Sequence, residues 1–545
     1  MNRHDSTGYW SNTLGDTVGE ILDRWAERKP DKEGLVQADR RFTWAEMAEA
    51  TDSLATAFLD LGMKKGDRLG ILGPNHPEML LSWFAAAKVG IIPVPMSSRY
   101  RRKELEYIIC DSALSTLITI DEFEGYDFLQ ALSEIRNRLP ALRNVVVHKT
   151  REGSSEGLLL LGDLLGTQPD LTRIHENRPA SSDILVILYT SGTTGSPKGV
   201  VHTHDSMFYD SKSYITEVHR LTDQDVLLQS MPWSHMVGHQ NFNNTCLLLG
   251  QKNVLMDVYR PEKFIDLIEQ ERVTWLDGVP TMFLLPPSRV PDFAERDLSS
   301  VRFIVVCGFY CPPEQMREIR SRYNSADIIQ MVGSTEGGSL LANRRDDQEE
   351  TIFGTVGRPV STKELRICDR GGKTVGPGEV GELLYRGPSI FQCYWNNPDL
   401  TRREKDEEGF WHSGDLGKTT DGAGNIRFMG RIKDVVIRGG FNIYPAEIEA
   451  CILGLSSVKS AVMVGYPDPV LGEKTCCLVV PQESGKVSQE GIRKNCRAEL
   501  ADYKTPDMIR VVDELPLLPS GKVDRVRVKE DLLKEMGLSG LSTGG

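Results

Sequence analysis

No stretch of the chain reaches 18 uninterrupted apolar residues, so a membrane-spanning helix is not expected. The opening residues, MNRHDSTGYW, lack the apolar core of a secretory leader. Ten cysteines are scattered and only Cys476 and Cys477 adjoin; neither a Cys-x-x-Cys pair nor Cys/His metal spacing occurs. Reduced thiols in a cytoplasm fit that usage. Positive charge is also in deficit, with 64 Lys and Arg against 77 Asp and Glu, a balance of −13. A general affinity for nucleic acid or anionic lipid needs a basic surface, so both are excluded as partners and any anionic ligand must be held locally. Internal repeats and long low-complexity linkers are absent as well.

What is present is enough for large cores: 545 residues, 40% of them apolar, correspond to roughly three to four domain-sized units. Val18, Ile21, Leu22 and Trp25 share one helical face, and further helices are expected around Leu54–Leu61 and over Pro77–Lys88. Strands are expected at Arg68–Leu72 and Ile91–Val94, then at Val226–Gln229, Asn253–Met256, Val273–Leu276, Val301–Val306 and Ile328–Val332. Such alternation implies an α/β fold with a largely parallel sheet covered by helices. From about Gly354 glycines and short strands crowd together (ELRICD, GELLYRG, IRFMG), which reads as a turn-rich β subdomain. A last block from about Lys433 has its own α+β pattern, with a helix from Pro445 and strands at Ser460–Val464 and Thr475–Val480.

Chemistry concentrates in four motifs. The first, YTSGTTGSPKG from Tyr189 to Gly199, follows the β-branched run Ile184–Leu188. Glycines let the backbone approach a ligand, and freed N–H groups with hydroxyls and one lysine suit a phosphate. It is not the GxxxxGK[ST] loop. A plain Ser/Thr/Gly surface loop would look similar, but the strand before it and the Pro-Lys-Gly within it favour phosphate. The second, GSTEGG, begins at Gly333 directly after an apolar run and places Glu336 at a sheet edge, where a carboxylate can ligate Mg²⁺. In the third, WHSGDLG, Asp415 is expected in a tight Ser-Gly-Asp turn, able to accept bonds from a ribose diol; Arg431 follows in GRIKD. The fourth, LPLLPSGKVDR, presents Lys522 at the tip of a Pro-bounded turn.

Taken together over more than 300 residues, these motifs resemble those of the AMP-forming acyl-CoA synthetases, the adenylating superfamily that also holds luciferases and peptide-synthetase adenylation domains. The resemblance implies an N-terminal domain, residues 1–431, for ATP and acid, and a small mobile C-terminal domain, residues 432–545. It implies ATP, Mg²⁺ and coenzyme A as the working small molecules beside a carboxylic acid. Thr190, Ser191, Gly192, Thr193, Thr194, Gly195 and Lys198 would bind phosphates, with Gly308, Phe309, Gly333 and Ser334 around the nucleotide. Thr335 would face the α-phosphate, Glu336 the Mg²⁺ and Asp415 the ribose hydroxyls, with Arg431 beside it and placed for a phosphate or ribose oxygen. Lys522 would bridge carboxylate and α-phosphate, and Lys433 would be the hinge. Gly439 and Gly440 would pass coenzyme A. His235 matches a histidine near the phosphates, and Trp233, Met236, Val237, Gly238, Gly278 and Thr281 would shape the acid pocket.

Two departures stand out. Val332 occupies the place where the family stacks an aromatic ring on adenine, and Cys307-Gly308-Phe309-Tyr310-Cys311 replaces a usual Gly-Gly-Ala before Pro312-Pro313. Phe309 or Tyr310 is expected to supply the missing ring, or else to narrow the acid pocket. The expected reaction is ligation of a medium-sized apolar acid (fatty, alicyclic or aromatic) to coenzyme A. Transfer of the acyl group to a carrier protein is the alternative, disfavoured because no carrier segment follows the lysine motif. Oligomeric state is left open, a homodimer being one option.

Overall fold

The computed structural model describes residues 15–149, 158–190, 197–240, 245–308, 311–438, 441–482, 487–518 and 522–538. Ser191–Ser196, Phe309, Tyr310, Gly439 and Gly440 therefore lie outside the described residues.

Two sheets share the N-terminal core. In the larger, nine-stranded sheet, Asp327–Ser334, Phe303–Val306, Trp275–Gly278, Val226–Gln229, Lys252–Leu255 and Glu33–Gln37 run parallel in that order. Antiparallel strands close both edges. The smaller sheet is parallel throughout, in the order Ile92–Met96, Arg68–Leu72, Thr116–Ile120, Asn144–His148 and Leu159–Leu160. The expected strands recur, Arg68–Leu72 and Val226–Gln229 with both ends unchanged and the others with ends moved by up to four residues, because apolar runs mark the buried middle of a strand and not its pairing limits.

Helix Pro77–Lys88 packs against both sheets, and every one of its residues is buried. Its apolar run MLLSWFAAA explains this, since a helix apolar all round belongs in a core. Lys88 is tolerated there because its ammonium pairs with Asp23 at 2.5 Å and with Asp52. Upstream, Thr17 and Glu20 form a reciprocal cap on Val18–Arg28, and Thr43 and Glu46 do the same for Trp44–Asp60.

The turn-rich region forms a four-stranded antiparallel sheet, Glu364–Cys368, Gly381–Arg386, Trp411–Thr419 and Ile426–Arg431. A fully buried ion pair, Lys363 with Asp210, ties this sheet's entry to helix His204–Ser213. Asp210 also accepts from the Ser339 N–H at 3.0 Å, so the pair sits directly behind the Thr-Glu turn.

Beyond the short 3₁₀ turn Ile432–Asp434 comes a separate five-stranded sheet with its own core. Helix Pro445–Leu453 and strands Val458–Asp468 and Gly472–Pro481 fall where the sequence suggested. Contact with the preceding sheet is close: a methyl group built at Gly430 would lie 3.6 Å from the Ala446 Cβ. All ten cysteines are free thiols. Among the described residues no helix is long and apolar enough to cross a membrane.

Candidate active site

The phosphate motif is carried by an antiparallel hairpin rather than by a strand of the parallel sheets. Ile184–Thr190 pairs with Lys198–Thr203, and Thr190 stands opposite Lys198 across the mouth of the loop. Buried Leu185–Tyr189 anchor one arm. The Tyr189 hydroxyl donates to the Asp111 carboxylate at 2.5 Å, fixing the residue that precedes the loop. Lys198 is largely buried; its ammonium lies 3.9 Å from Glu404 and 5.3 Å from the centre of the Tyr394 ring.

Next to the hairpin, Asp327–Ser334 turns back into Gly338–Ala342, with Thr335 and Glu336 at the turn. The Ser334 hydroxyl accepts the Gly337 N–H at 2.9 Å, and Gly333 pairs with Ser339. His202 reaches across from the hairpin, its Nε2 donating to the Thr335 carbonyl at 2.7 Å. Burial pushes this imidazole down to about 4, so it is neutral at pH 7, and the Nε2 proton is the one that bond requires. Glu336 accepts the Tyr394 hydroxyl at 2.9 Å, and its carbonyl accepts the Phe391 N–H at 2.8 Å. Burial pushes the Glu336 carboxyl above its usual range; the Tyr394 hydrogen bond, Lys198 and Arg431 oppose that shift.

Among the described residues no group of three or more His, Cys, Asp or Glu could cage a metal. One carboxylate beside a phosphate loop does suit Mg²⁺, which takes one or two carboxylates and completes its octahedron with phosphate oxygens and water.

Asp415 lies within strand Trp411–Thr419, directly opposite Arg431, and not in the tight turn expected of Ser-Gly-Asp. The strand absorbs the motif because Gly414 takes a positive φ of 70° and the pairing register shifts at Leu416/Gly417. Asp415 is 5% exposed and accepts the Arg431 Nε–H at 3.0 Å. Its carboxyl is pushed up by burial, against the charges of Arg431 and Lys522. Lys433 occupies the exposed 3₁₀ turn immediately after this pair.

Lys522 arrives from the C-terminal sheet. Its carbonyl accepts the Leu518 N–H at 2.7 Å and the Pro516 carbonyl accepts the Asp524 N–H at 2.8 Å, which closes the turn. Gly308, with φ of 90°, ends the parallel strand Phe303–Val306, and a Cβ there would stand 2.8 Å from Val279 and 4.0 Å from Lys522 Cε. A side chain at 308 would thus compete for the place the lysine reaches. Lys522 stays open to solvent by surface area while lying within reach of charged neighbours. Burial lowers its ammonium pKa, Arg431 lowers it further, and Cys307 and Asp415 act in the opposite sense. His235, half-buried at the N-terminus of Met236–His239, is pushed down to about 4 by burial and then by Lys522. Lys522 is therefore gathered with Cys307, Gly308, His235, Asp415 and Arg431.

Of the residues expected to shape the acid pocket, Met236 and Gly238 are buried, Val237 is half-buried and Thr281 is exposed. Gly278 ends strand Trp275–Gly278 against Met282 and Phe283. Trp233 is fully buried, donating its indole N–H to the Gly73 carbonyl at 3.1 Å. Val332 turns toward the core of the antiparallel sheet. Sequence reasoning missed His202 and Tyr394. His202 stands in VVHTH just after the phosphate motif, and Tyr394 in CYWNNP; only proximity to the motif marked the first, and nothing local marked the second.

A family model described as AMP-binding enzyme matches residues 22–395, and its C-terminal domain model matches residues 447–522. The mitochondrial medium-chain acyl-CoA ligase of Homo sapiens is 31% identical over 96% of this chain and 88% of its own length. The medium-chain fatty-acid–CoA ligase of Escherichia coli (strain K12) is 30% identical over 97% of this chain and 92% of its own. Among solved structures, the anthranilate CoA ligase AuaEII in complex with anthranoyl-AMP superimposes with a TM-score of 0.85 at 26% identity, over 94% of this chain and 97% of that one.

Proposed function

The chain belongs to the AMP-binding enzymes, as an AMP-forming acid–CoA ligase of the adenylate-forming superfamily, and from that membership we propose that its acid is a medium-sized apolar one. Ligases of this family use ATP, Mg²⁺ and coenzyme A. Two relatives named for medium-chain acids and one structure with an aromatic acyl-adenylate support the size range. Met236 and Val237 support an apolar lining. Ten free thiols and the Escherichia coli relative favour a reducing compartment.

The observation that carries the reading is the gathering of Lys522 with Asp415, Arg431 and His235 beside Gly308. In the first step a carboxylate oxygen attacks the α-phosphorus of ATP, forming an acyl–O–P bond and releasing pyrophosphate. Lys198 and Arg431 hold phosphate charge, and Asp415 accepts from the ribose hydroxyls. Lys522 stands between the two approaching anions, where a fixed cation offsets their repulsion. Glu336 would hold Mg²⁺, which supplies charge neutralisation on the phosphate oxygens. In the second step the thiolate of coenzyme A attacks the acyl carbon and AMP leaves. Residues 432–545 turn about Lys433 between the steps, withdrawing Lys522 and bringing the Gly439-Gly440 side to the cleft.

Lys522 works only while protonated. Burial and Arg431 place its pKa below the ordinary lysine value of about 10.4. Adenylation should therefore fall as pH rises, with its alkaline limb below that of a solvated lysine. Pyrophosphate release measured against pH should show this limb, and thioester formation from supplied acyl-adenylate should not. Substrate class is tested by pyrophosphate release over a panel of short, medium, long and aromatic acids, with and without coenzyme A. The highest kcat/KM is expected for acids of medium length or single rings; a clear preference for short polar acids would overturn the assignment. One methylene in such a pocket is worth about 1–3 kcal/mol, enough to order the panel.

A further inference from the structure

Tyr394 touches both charged groups of the phosphate site. Its hydroxyl donates to Glu336 Oε1 at 2.9 Å, while the Lys198 ammonium lies 5.3 Å from the centre of its ring. The side chain is 3% exposed, and its ring packs on Phe391 at 4.7 Å between centroids. Its backbone is fixed to the phosphate hairpin itself. The Val201 N–H donates to the Cys393 carbonyl at 3.0 Å, the Gln392 N–H to the Val201 carbonyl at 2.8 Å and the Trp395 N–H to the Gly199 carbonyl at 2.7 Å. Residues 391–395 thus run as an added strand beside Lys198–Thr203, with Tyr394 bridged to Val200.

We propose that Tyr394 is a positioning residue that holds Glu336 for the metal–nucleotide complex and keeps it from pairing with Lys198. The inference rests on the ATP-dependent reading above. A partly buried carboxylate beside a partly buried ammonium tends to close into a contact pair unless something occupies the space between them. Tyr394 occupies it, offering a ring to the cation and a hydroxyl to the anion. Lys198 and Glu336 make no ion pair with each other; the ammonium's carboxylate neighbour is Glu404, at 3.9 Å. Both groups therefore keep open valence, one for phosphate and one for the metal. His202, on the same hairpin arm, holds the Thr335 carbonyl and so fixes the other end of the Thr-Glu dipeptide.

The test is Tyr394→Phe, which keeps the ring and deletes the hydroxyl. Binding of Mn²⁺ in the presence of ATP is followed by electron paramagnetic resonance, and binding of metal-free ATP by calorimetry. The metal–nucleotide affinity is expected to fall about 10- to 100-fold, the loss typical of a hydrogen bond to a charged group. Metal-free ATP affinity should change less than about 3-fold, and the thermal midpoint of the ligand-free protein should hold. Because the two residues act as one unit, Tyr394→Phe should add nothing to Glu336→Gln. Tyr385→Phe is the control, since the buried Tyr385 hydroxyl in the same apolar cluster has no hydrogen-bond partner. Equal loss of metal-free ATP, additive losses with Glu336→Gln, or wild-type Mn²⁺ binding in Tyr394→Phe would each overturn the inference. If the unaltered protein binds no Mn²⁺–ATP, the adenylating reading itself fails.

Discussion

Lys522→Ala should make no measurable acyl-adenylate while still converting a supplied acyl-adenylate to thioester. The expected fall in pyrophosphate release is about 10³-fold, the upper range for deleting one fixed group that meets developing charge. ATP affinity should fall far less, because Lys198 and Arg431 continue to hold phosphate when the alanine cannot. That split between rate and binding is what a group acting mainly in the transition state produces. Its basis is geometric: Lys522 Cε comes within 4.0 Å of the Cβ position at Gly308, and its charge is felt by Asp415 and His235. Equal loss in the two half-reactions would instead make Lys522 a general support of the cleft.

The complementary variant is Gly440→Leu. It should form acyl-adenylate within about 2-fold of the unaltered rate and lose thioester formation by about 10²-fold or more, as expected when a reacting group is displaced by an ångström or so. Gly439 and Gly440 lie outside the described residues, but the strands on either side constrain the expectation. Arg438 pairs with Phe441, and Ile437 and Phe441 are 44% and 55% exposed. Apolar side chains that stand in water in this structure would gain burial if the proposed rotation turns this face toward the nucleotide site. Phe441 also stacks on Tyr503 at 4.6 Å, which holds this face in shape. Stopped half-reactions with synthetic acyl-adenylate and coenzyme A separate the two outcomes.

Much of this site could be read from the chain because its chemistry sits in short motifs joined to apolar runs. Glu336 follows the strand expected at Ile328–Val332, and Lys522 directly follows the Pro-Ser-Gly of its motif; both are local facts. Asp415 was misread as a turn residue, since Ser-Gly-Asp favours turns and only the partner strand ending in Arg431 converts it to a bulged strand. The antiparallel pairing of Ile184–Thr190 with Lys198–Thr203 was not legible either: an apolar run shows that a strand is buried but not which strand it pairs with. His202 and Tyr394 were beyond reach. Their contacts with Thr335 and Glu336 span 133 and 58 positions, and no composition or spacing rule joins residues so distant.

Helix Pro77–Lys88 carries a consequence for dissection of the molecule. It has no outward side: the same twelve residues serve as floor for one sheet and ceiling for the other, and a single apolar cluster runs through from Ile71 and Ile118 to Leu227 and Leu255. A fragment ending near residue 180 would leave half of that cylinder facing solvent, and a fragment beginning there would have no cylinder at all. The first two-thirds of the chain is therefore one indivisible folding unit, and severable tails or tethered fusions belong at its far end, past the exposed turn at Lys433.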